Sequence, residues 1–253
     1  MLDEFDLTGR VAIVTGGNRG IGRGIAVGLA RAGADITVAA RNRETTAEVV
    51  DEVRGLGRRS LGVACDVTVG EDIARTVAAV LDELGRIDIL VNNAGISLGG
   101  RPETLPEESW DRVLDTNLKA VLRFSQAVYP ALKDAGGGKV INIGSEYSIF
   151  GSPQVVAYAA SKGGVIQMTK SLAIAWAGDG IQVNAIIPGW VRTDMTAPVI
   201  DHEPMYRSIV GRTPAGRFAE PEELAGAAVF LASAASDFVT GQSIVVDGGY
   251  SVS

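Results

Sequence analysis

VAIVTGGNRGIG, residues 11–22, reads as a strand, a glycine-rich turn and the start of a helix. Val11 to Thr15 is an apolar run of strand length, and Ile25, Ala26, Leu29 and Ala30 continue with helical spacing. Between them stand Gly16, Gly20 and Gly22. Without Cβ atoms they permit a tight turn and let a phosphate approach the N–H groups at a helix N-terminus. A glycine-rich string alone is a weak signal. The strand before it and the helix after it are the context that a dinucleotide site requires.

The same alternation extends to the end of the chain. Strands are expected at 11–15, 35–40, 61–65, 87–93, 139–145, 181–188 and 242–248, apolar on both faces as buried parallel strands are. Amphipathic stretches of helix length lie between them, among them 44–56, 71–84 and 107–132. Repeated strand–helix–strand units predict an α/β fold, a doubly wound parallel sheet of seven strands with helices on both faces. No linker, charge run or repeat divides the chain, so residues 1–253 read as one dinucleotide-binding and catalytic domain. The stretch 194–221 departs from the pattern, with Pro198, Pro204, Pro214, Pro221 and the only histidine, His202. A long excursion after a strand end is where a substrate lid would lie.

Composition narrows the partners. Glycine occurs 32 times in 253 residues, where ordinary usage predicts roughly 18, and has no collagen period. Twenty-three basic against 30 acidic residues give a net charge of −7, which opposes nucleic acid and anionic bilayers. A single cysteine, Cys65, and a single histidine exclude an internal disulfide and argue against a metal site of the His/Cys kind. MLDEFDLTGR carries acids where a secretory leader needs bases, and no run of 18 apolar residues exists. A cytoplasmic protein without a membrane span is expected.

Tyr158 and Lys162 stand at i and i+4 of a helix and so share a face. An ammonium beside a phenol favours the phenolate. Ser145 ends a strand thirteen residues before Tyr158, where its hydroxyl could hold a substrate oxygen while the phenol exchanges its proton. In a dinucleotide fold the second strand ends against the adenosine ribose, with an acid for the ribose hydroxyls. Here that position is Ala40, followed by Arg41, while Asp35 lies at the wrong end of the strand. No carboxylate repels a 2′-phosphate, and Arg41 and Arg19 are placed to clamp it. The reading is NADP(H), with NAD(H) left open.

The glycine spacing G-x-x-x-G-x-G resembles that of the short-chain dehydrogenase/reductase family, and further motifs follow in order. Asn92-Asn93-Ala94-Gly95 resembles its N-N-A-G, Asp66-Val67 its adenine-contacting pair, and Pro188-Gly189 followed by Thr193 its nicotinamide-side P-G-x-x-x-T. The resemblance spans the chain and implies a Rossmann-type fold. It implies Tyr158 as general acid/base, Ser145 orienting the carbonyl, Lys162 binding the nicotinamide ribose and tuning the tyrosine, and Asn117 holding a water for proton relay. The cofactor set it implies is Thr15, Gly16, Asn18, Arg19, Gly20, Ile21, Gly22, Arg41, Asp66, Val67, Asn93, Ala94, Gly95, Tyr158, Lys162, Pro188, Gly189, Val191 and Thr193. It also implies a homotetramer. Val121, Phe124, Val128, Val165, Met168 and Leu172 are apolar positions that could face a neighbour as well as the sheet.

The pocket wall is expected from 96–101, 146–154 and 190–198. It mixes Leu98, Phe150, Trp190 and Met195 with Glu146, Tyr147 and Gln154, which suits a small oxygenated substrate touching Ser145, Tyr158, Gln154 and Trp190. The C-terminal stretch 212–249 resembles gluconate, sugar and polyol dehydrogenases of the family, and also its 3-oxoacyl-carrier-protein reductases. Those reductases dock an acidic partner through arginines; here Ile174 stands at such a position, 133–136 lacks their basic run, and the net charge opposes docking. The expected function is hydride transfer between NADP(H) and the carbonyl or secondary alcohol of a sugar, sugar acid, polyol or ketone. A carrier-protein reductase is the alternative. A non-catalytic dinucleotide sensor is a third reading, opposed by the presence of both Tyr158 and Lys162.

Overall fold

The computed structural model describes residues 2–253. Seven parallel strands form one sheet: β1 (Val11–Thr15), β2 (Asp35–Ala40), β3 (Ser60–Ala64), β4 (Ile89–Asn92), β5 (Gly138–Ile143), β6 (Ile181–Pro188) and β7 (Ser243–Val246). Their spatial order is β3-β2-β1-β4-β5-β6-β7. The winding reverses between β1 and β4, and a crevice opens there beyond the carboxyl ends of the strands. Register brings those ends level: Val14 pairs with Val38 on one side and Val91 on the other, and Asn92 pairs with Asn142.

The helices are α1 (Gly20–Arg31), α2 (Arg43–Gly55), α3 (Gly70–Leu84), α4 (Glu107–Leu114), α5 (Ala120–Asp134), α6 (Val156–Trp176), α7 (Ala197–Ile200), α8 (Glu203–Arg212) and α9 (Ala225–Ala232). Alternate residues of β1 enter opposite layers, as the two-residue period of a strand requires. Ala12 and Val14 pack with Ile25 and Leu29 of α1, Val49 and Val53 of α2 and Leu231 of α9. Val11 and Ile13 pack with Ile73 and Val80 of α3 and Phe124 and Val128 of α5. Among the described residues no helix is long and apolar enough to cross a membrane.

Three expectations need correction. First, β3 and β7 are partly exposed rather than apolar and buried throughout, because each has a neighbour on one side only. Second, β4 begins at Ile89. The preceding Asp88 turns its carboxylate inward to accept from the Val11 N–H at 2.9 Å and from the guanidinium groups of Arg10 and Arg86 at 3.0 and 2.6 Å. Third, the helix expected over 107–132 is two helices joined by a π-helical turn, Asp115–Lys119, with Asn117 buried within it. A single π turn inside an α-helix commonly marks a functional site. The apolar positions considered for a neighbouring subunit divide as well: Val121, Phe124, Val128 and Val165 are consumed by the chain's own core.

Candidate active site

The turn after β1 is built around glycines that tolerate no side chain. Gly16 and Gly20 have φ of +61° and +51°, a region in which other residues are strained. A Cβ on Gly22 would stand 2.3 Å from the Gly16 carbonyl oxygen and 2.4 Å from Asn93 Nδ2. This close fit lets Asn93 Nδ2 donate to the carbonyls of Thr15 and Gly16 at 2.9 and 3.1 Å. The Thr15 hydroxyl in turn accepts from the N–H groups of Asn93 and Ala94 at 3.0 and 3.1 Å, so β1, β4 and α1 are tied at one point. The bond from the Arg23 N–H to the Arg19 carbonyl opens α1, and the amides of Ile21 and Gly22 precede it, in the position that receives an anion.

The loop after β6 closes over this turn. Gly189 admits Asp247, whose Cα would lie 2.6 Å from an added Cβ. The Thr193 methyl comes within 3.1 Å of the Cβ position of Gly20. Thr196 Oγ1 donates to the carbonyl of Val191, a buried residue, at 2.6 Å. Arg19 is engaged by Asp194 at 2.7 Å, both side chains being exposed, and Asn18 donates to Thr45 Oγ1 at 2.8 Å.

At the end of β2, Ala40 is buried and Arg41 is exposed. Among the described residues no carboxylate lies within 4.0 Å of Arg41, and the next residue, Asn42, caps α2 by accepting from the N–H groups of Glu44 and Thr45. Asp35, at the other end of the strand, is held by Arg59 at 2.7 Å. Asp66 Oδ1 accepts from the N–H and hydroxyl of Thr68, beside the buried Val67. A cradle without Cβ atoms, open helix amides, an unpaired guanidinium and no acid at Ala40 together fit a phosphorylated dinucleotide.

Across the crevice, Ser145 caps the short turn after β5, with its Oγ accepting from the Tyr147 N–H at 3.2 Å. Ser148 Oγ accepts from the Ser145 N–H at 3.2 Å and donates to the Lys162 carbonyl at 2.9 Å, which locks the end of β5 to α6. Lys162 is buried; its Nζ donates to the Ile143 carbonyl at 2.7 Å and lies 5.7 Å from the centroid of the Tyr158 ring. Asn117 Nδ2 donates to the Ile96 carbonyl at 2.8 Å and to Ser161 Oγ at 3.2 Å, while its Oδ1 accepts from the Ile96 N–H at 2.9 Å. Ser161 Oγ donates to the Tyr158 carbonyl at 2.7 Å. A Cβ on Gly95 would meet Asn117 Oδ1 at 3.3 Å and Lys162 Nζ at 3.7 Å, so a larger residue would wedge this cluster.

Burial pushes the Tyr158 phenol above its ordinary value, and Tyr147 adds to the rise while the Ser145 hydroxyl opposes it. Burial also brings Lys162 down to about 8. The sequence suggested that Lys162 would draw the phenol down. Here its ammonium is engaged by the Ile143 carbonyl, and the desolvation of Tyr158 dominates. Asn117 uses its amide to brace Ile96 and Ser161. Trp190 packs its ring on Phe218 at 5.6 Å and edge-on to Tyr147 at 6.5 Å, and Tyr147 stands edge-on to Tyr158 at 6.1 Å. Gln154 is exposed, and its backbone carbonyl accepts from the Gly100 N–H. Tyr147 and Ser161 were not singled out for these roles, because nothing local in the sequence reveals packing against a distant helix.

A family model, adh_short_C2, described as Enoyl-(Acyl carrier protein) reductase, matches residues 16–251. The chain belongs to the short-chain dehydrogenase/reductase family. It is 41% identical to a gluconate 5-dehydrogenase of Gluconobacter oxydans (strain 621H) over 99% of this chain and 98% of that protein. A 3-oxoacyl-[acyl-carrier-protein] reductase of Vibrio cholerae is 39% identical over 97% of this chain and 98% of its own. Among solved structures, a gluconate 5-dehydrogenase from Burkholderia cenocepacia J2315, in complex with NADP and tartrate, superposes with a TM-score of 0.95 at 40% identity, covering 100% of this chain and 99% of that one.

Proposed function

We propose that this member of the short-chain dehydrogenase/reductase family is an NADP(H)-dependent oxidoreductase of a sugar acid, acting on a secondary alcohol or its ketone. One observation carries the reading: Ser145, Tyr158 and Lys162 converge across the crevice from a glycine cradle that fits a phosphorylated dinucleotide. The gluconate 5-dehydrogenases among the relatives support the substrate class. The apolar, 83% exposed Ile174 supports a free substrate rather than an acidic carrier protein.

Gly16, Gly20, Ile21 and Gly22 would hold the pyrophosphate, Arg41 the 2′-phosphate, and Pro188 and Thr193 the nicotinamide side, while Thr15, Asn93 and Gly95 shape the crevice between them. Bound there, NADP(H) supplies or accepts the hydride. The Ser145 hydroxyl orients the substrate oxygen; the Tyr158 phenol donates its proton to that oxygen in reduction, and its phenolate takes the proton in oxidation. A buried phenol is a reluctant acid, so the Lys162 ammonium, 5.7 Å from the ring, serves to stabilise the phenolate once it forms. Asn117 keeps Ile96 and α6 in register with this group. Residues 194–221 act as the lid, latched by the Arg19–Asp194 pair, and the assembly is a homotetramer.

A substrate panel of sugar acids, polyols, simple ketones and acyl thioesters, followed by NADPH absorbance, tests the reading. Sugar acids should be the best substrates, and Tyr158→Phe should lower kcat by about 10²–10⁴-fold while NADPH still binds. Near wild-type turnover by that variant, or a preference for acyl thioesters, would refute it.

A further inference from the structure

Beside the reaction centre, beyond Tyr147, lies a second cavity of about 150 Å³. A water needs roughly 10–15 Å³ on this measure, so a short polar chain fits. Its lining contains an unusual pair. Arg212, at the end of α8, stacks its guanidinium 4.2 Å over the Tyr250 ring and 5.2 Å over the Phe150 ring. Among the described residues it has no carboxylate within 4.0 Å; its one side-chain polar contact is Nη1 to the Tyr250 hydroxyl at 3.4 Å. A guanidinium held by stacking keeps its in-plane donors available for a planar anion. The same lining contains Glu146, 5% exposed, whose Oε1 has no hydrogen-bond partner.

We propose that this cavity anchors the carboxylate end of a polyhydroxy-acid substrate, with Arg212 as its bidentate ion-pair partner and Glu146 as its hydrogen-bond donor. The inference rests on the reading of the protein as a sugar-acid oxidoreductase. Glu146 immediately follows Ser145, and Tyr147 both lines the cavity and stands against Tyr158. A substrate with its reacting oxygen at Ser145 and Tyr158 therefore extends its far end past Tyr147 towards Arg212.

The charges around Glu146 suit this role. Asp247 is already satisfied by the N–H groups of Gly249 and Ser251 at 2.8 and 2.7 Å, and its negative charge disfavours a second one nearby. Burial and Asp247 raise the Glu146 carboxyl to about 8, with Arg212 pulling the other way; Tyr147 and Tyr250 are the remaining titratable groups in the lining. At neutral pH Glu146 thus presents an O–H. A ligand carboxylate would receive charge-assisted bonds from Arg212 and a hydrogen bond from Glu146, which meets the need of both groups. A neutral tail leaves the arginine without its anion.

The test compares D-gluconate with glucitol, which lacks the carboxylate, in the wild type, Arg212→Met, Arg212→Lys and Glu146→Gln. Arg212→Met should raise KM for gluconate about ten- to a hundredfold and change the glucitol KM far less, with Arg212→Lys between. The ratio of the gluconate KM to the glucitol KM, in which the titration of Lys162 cancels, should rise above about pH 8 in the wild type as Glu146 ionises, and Glu146→Gln should abolish that rise. Equal effects on both substrates, or a rise that persists in Glu146→Gln, would overturn the subsite. Calorimetric titration of gluconate into the NADPH-loaded proteins, a pair that cannot exchange hydride, reads the subsite without turnover, and equal affinities of wild type and Arg212→Met would also overturn it. Gluconate that binds through Arg212 but is never oxidised would instead count against the proposed function alone.

Discussion

Replacing Glu146 by glutamine should make the protein more stable, by an amount that depends on pH. Burial and the Asp247 charge move this carboxyl from 4.5 to about 8. The unfolded chain releases the proton near the lower value, whereas the folded chain keeps it to the higher one. Between the two the folded state binds one more proton than the unfolded state, so stability falls as pH rises, and the loss levels off above about 8. At pH 7 the interval from 4.5, at about 1.4 kcal/mol per pH unit, corresponds to about 3 kcal/mol. Glutamine has the same shape and never ionises, and Oε1 has no partner to lose. The gain of Glu146→Gln should therefore be about 3 kcal/mol at pH 7 and vanish near pH 4.5. In a chain of this size that is a Tm rise of about 6–12 °C at pH 7. Urea and thermal unfolding of both proteins, followed by circular dichroism at about pH 4.5, 6, 7 and 8, measure it. A difference that stays flat across this range would mean an ordinary, ionised carboxylate, and the reasoning would fail.

Two further outcomes follow from the cofactor cradle. Arg41→Ala should weaken NADPH binding by about 1.5–3 kcal/mol and leave NADH nearly unaffected, because it removes only the contact to the extra phosphate; fluorescence titration with both cofactors decides it, and an equal loss for the two would be contrary. Gly22→Ala should cost about 1–3 kcal/mol in urea unfolding and weaken NADPH binding as well, since its Cβ would stand 2.3 Å from the Gly16 carbonyl oxygen and displace Asn93 Nδ2; an unchanged midpoint with unchanged NADPH affinity would show that the clamp is slack.

The strand and helix alternation around 11–22 was legible because it is a record of burial: strands covered on both faces are apolar throughout, and helices against them carry one apolar stripe. Arg41 and Ala40 could likewise be read from their position after β2, since a strand end in this topology has one defined neighbour. The π turn at Asn117 was not legible. Its residues have ordinary helical spacing, and the irregularity coincides with the side-chain bonds from Asn117 to Ile96, twenty-one residues away. The partial exposure of β3 and β7 was hidden for a related reason, because an edge is a fact about missing neighbours.

Sequence alone determined the α/β architecture, the glycine turn, and which side chains have the chemistry to move a proton or grip a phosphate. Those are properties of residue type and short spacing. Tertiary structure alone decided what surrounds each of them. It set the Lys162 ammonium against the Ile143 carbonyl and buried the Tyr158 phenol, and that burial is the first cause of the phenol's rise. It also brought Arg212, Tyr250 and Glu146 from α8, the C-terminus and the β5 turn around one cavity. Desolvation and charge proximity depend on through-space neighbours, and these exist only once the chain has packed.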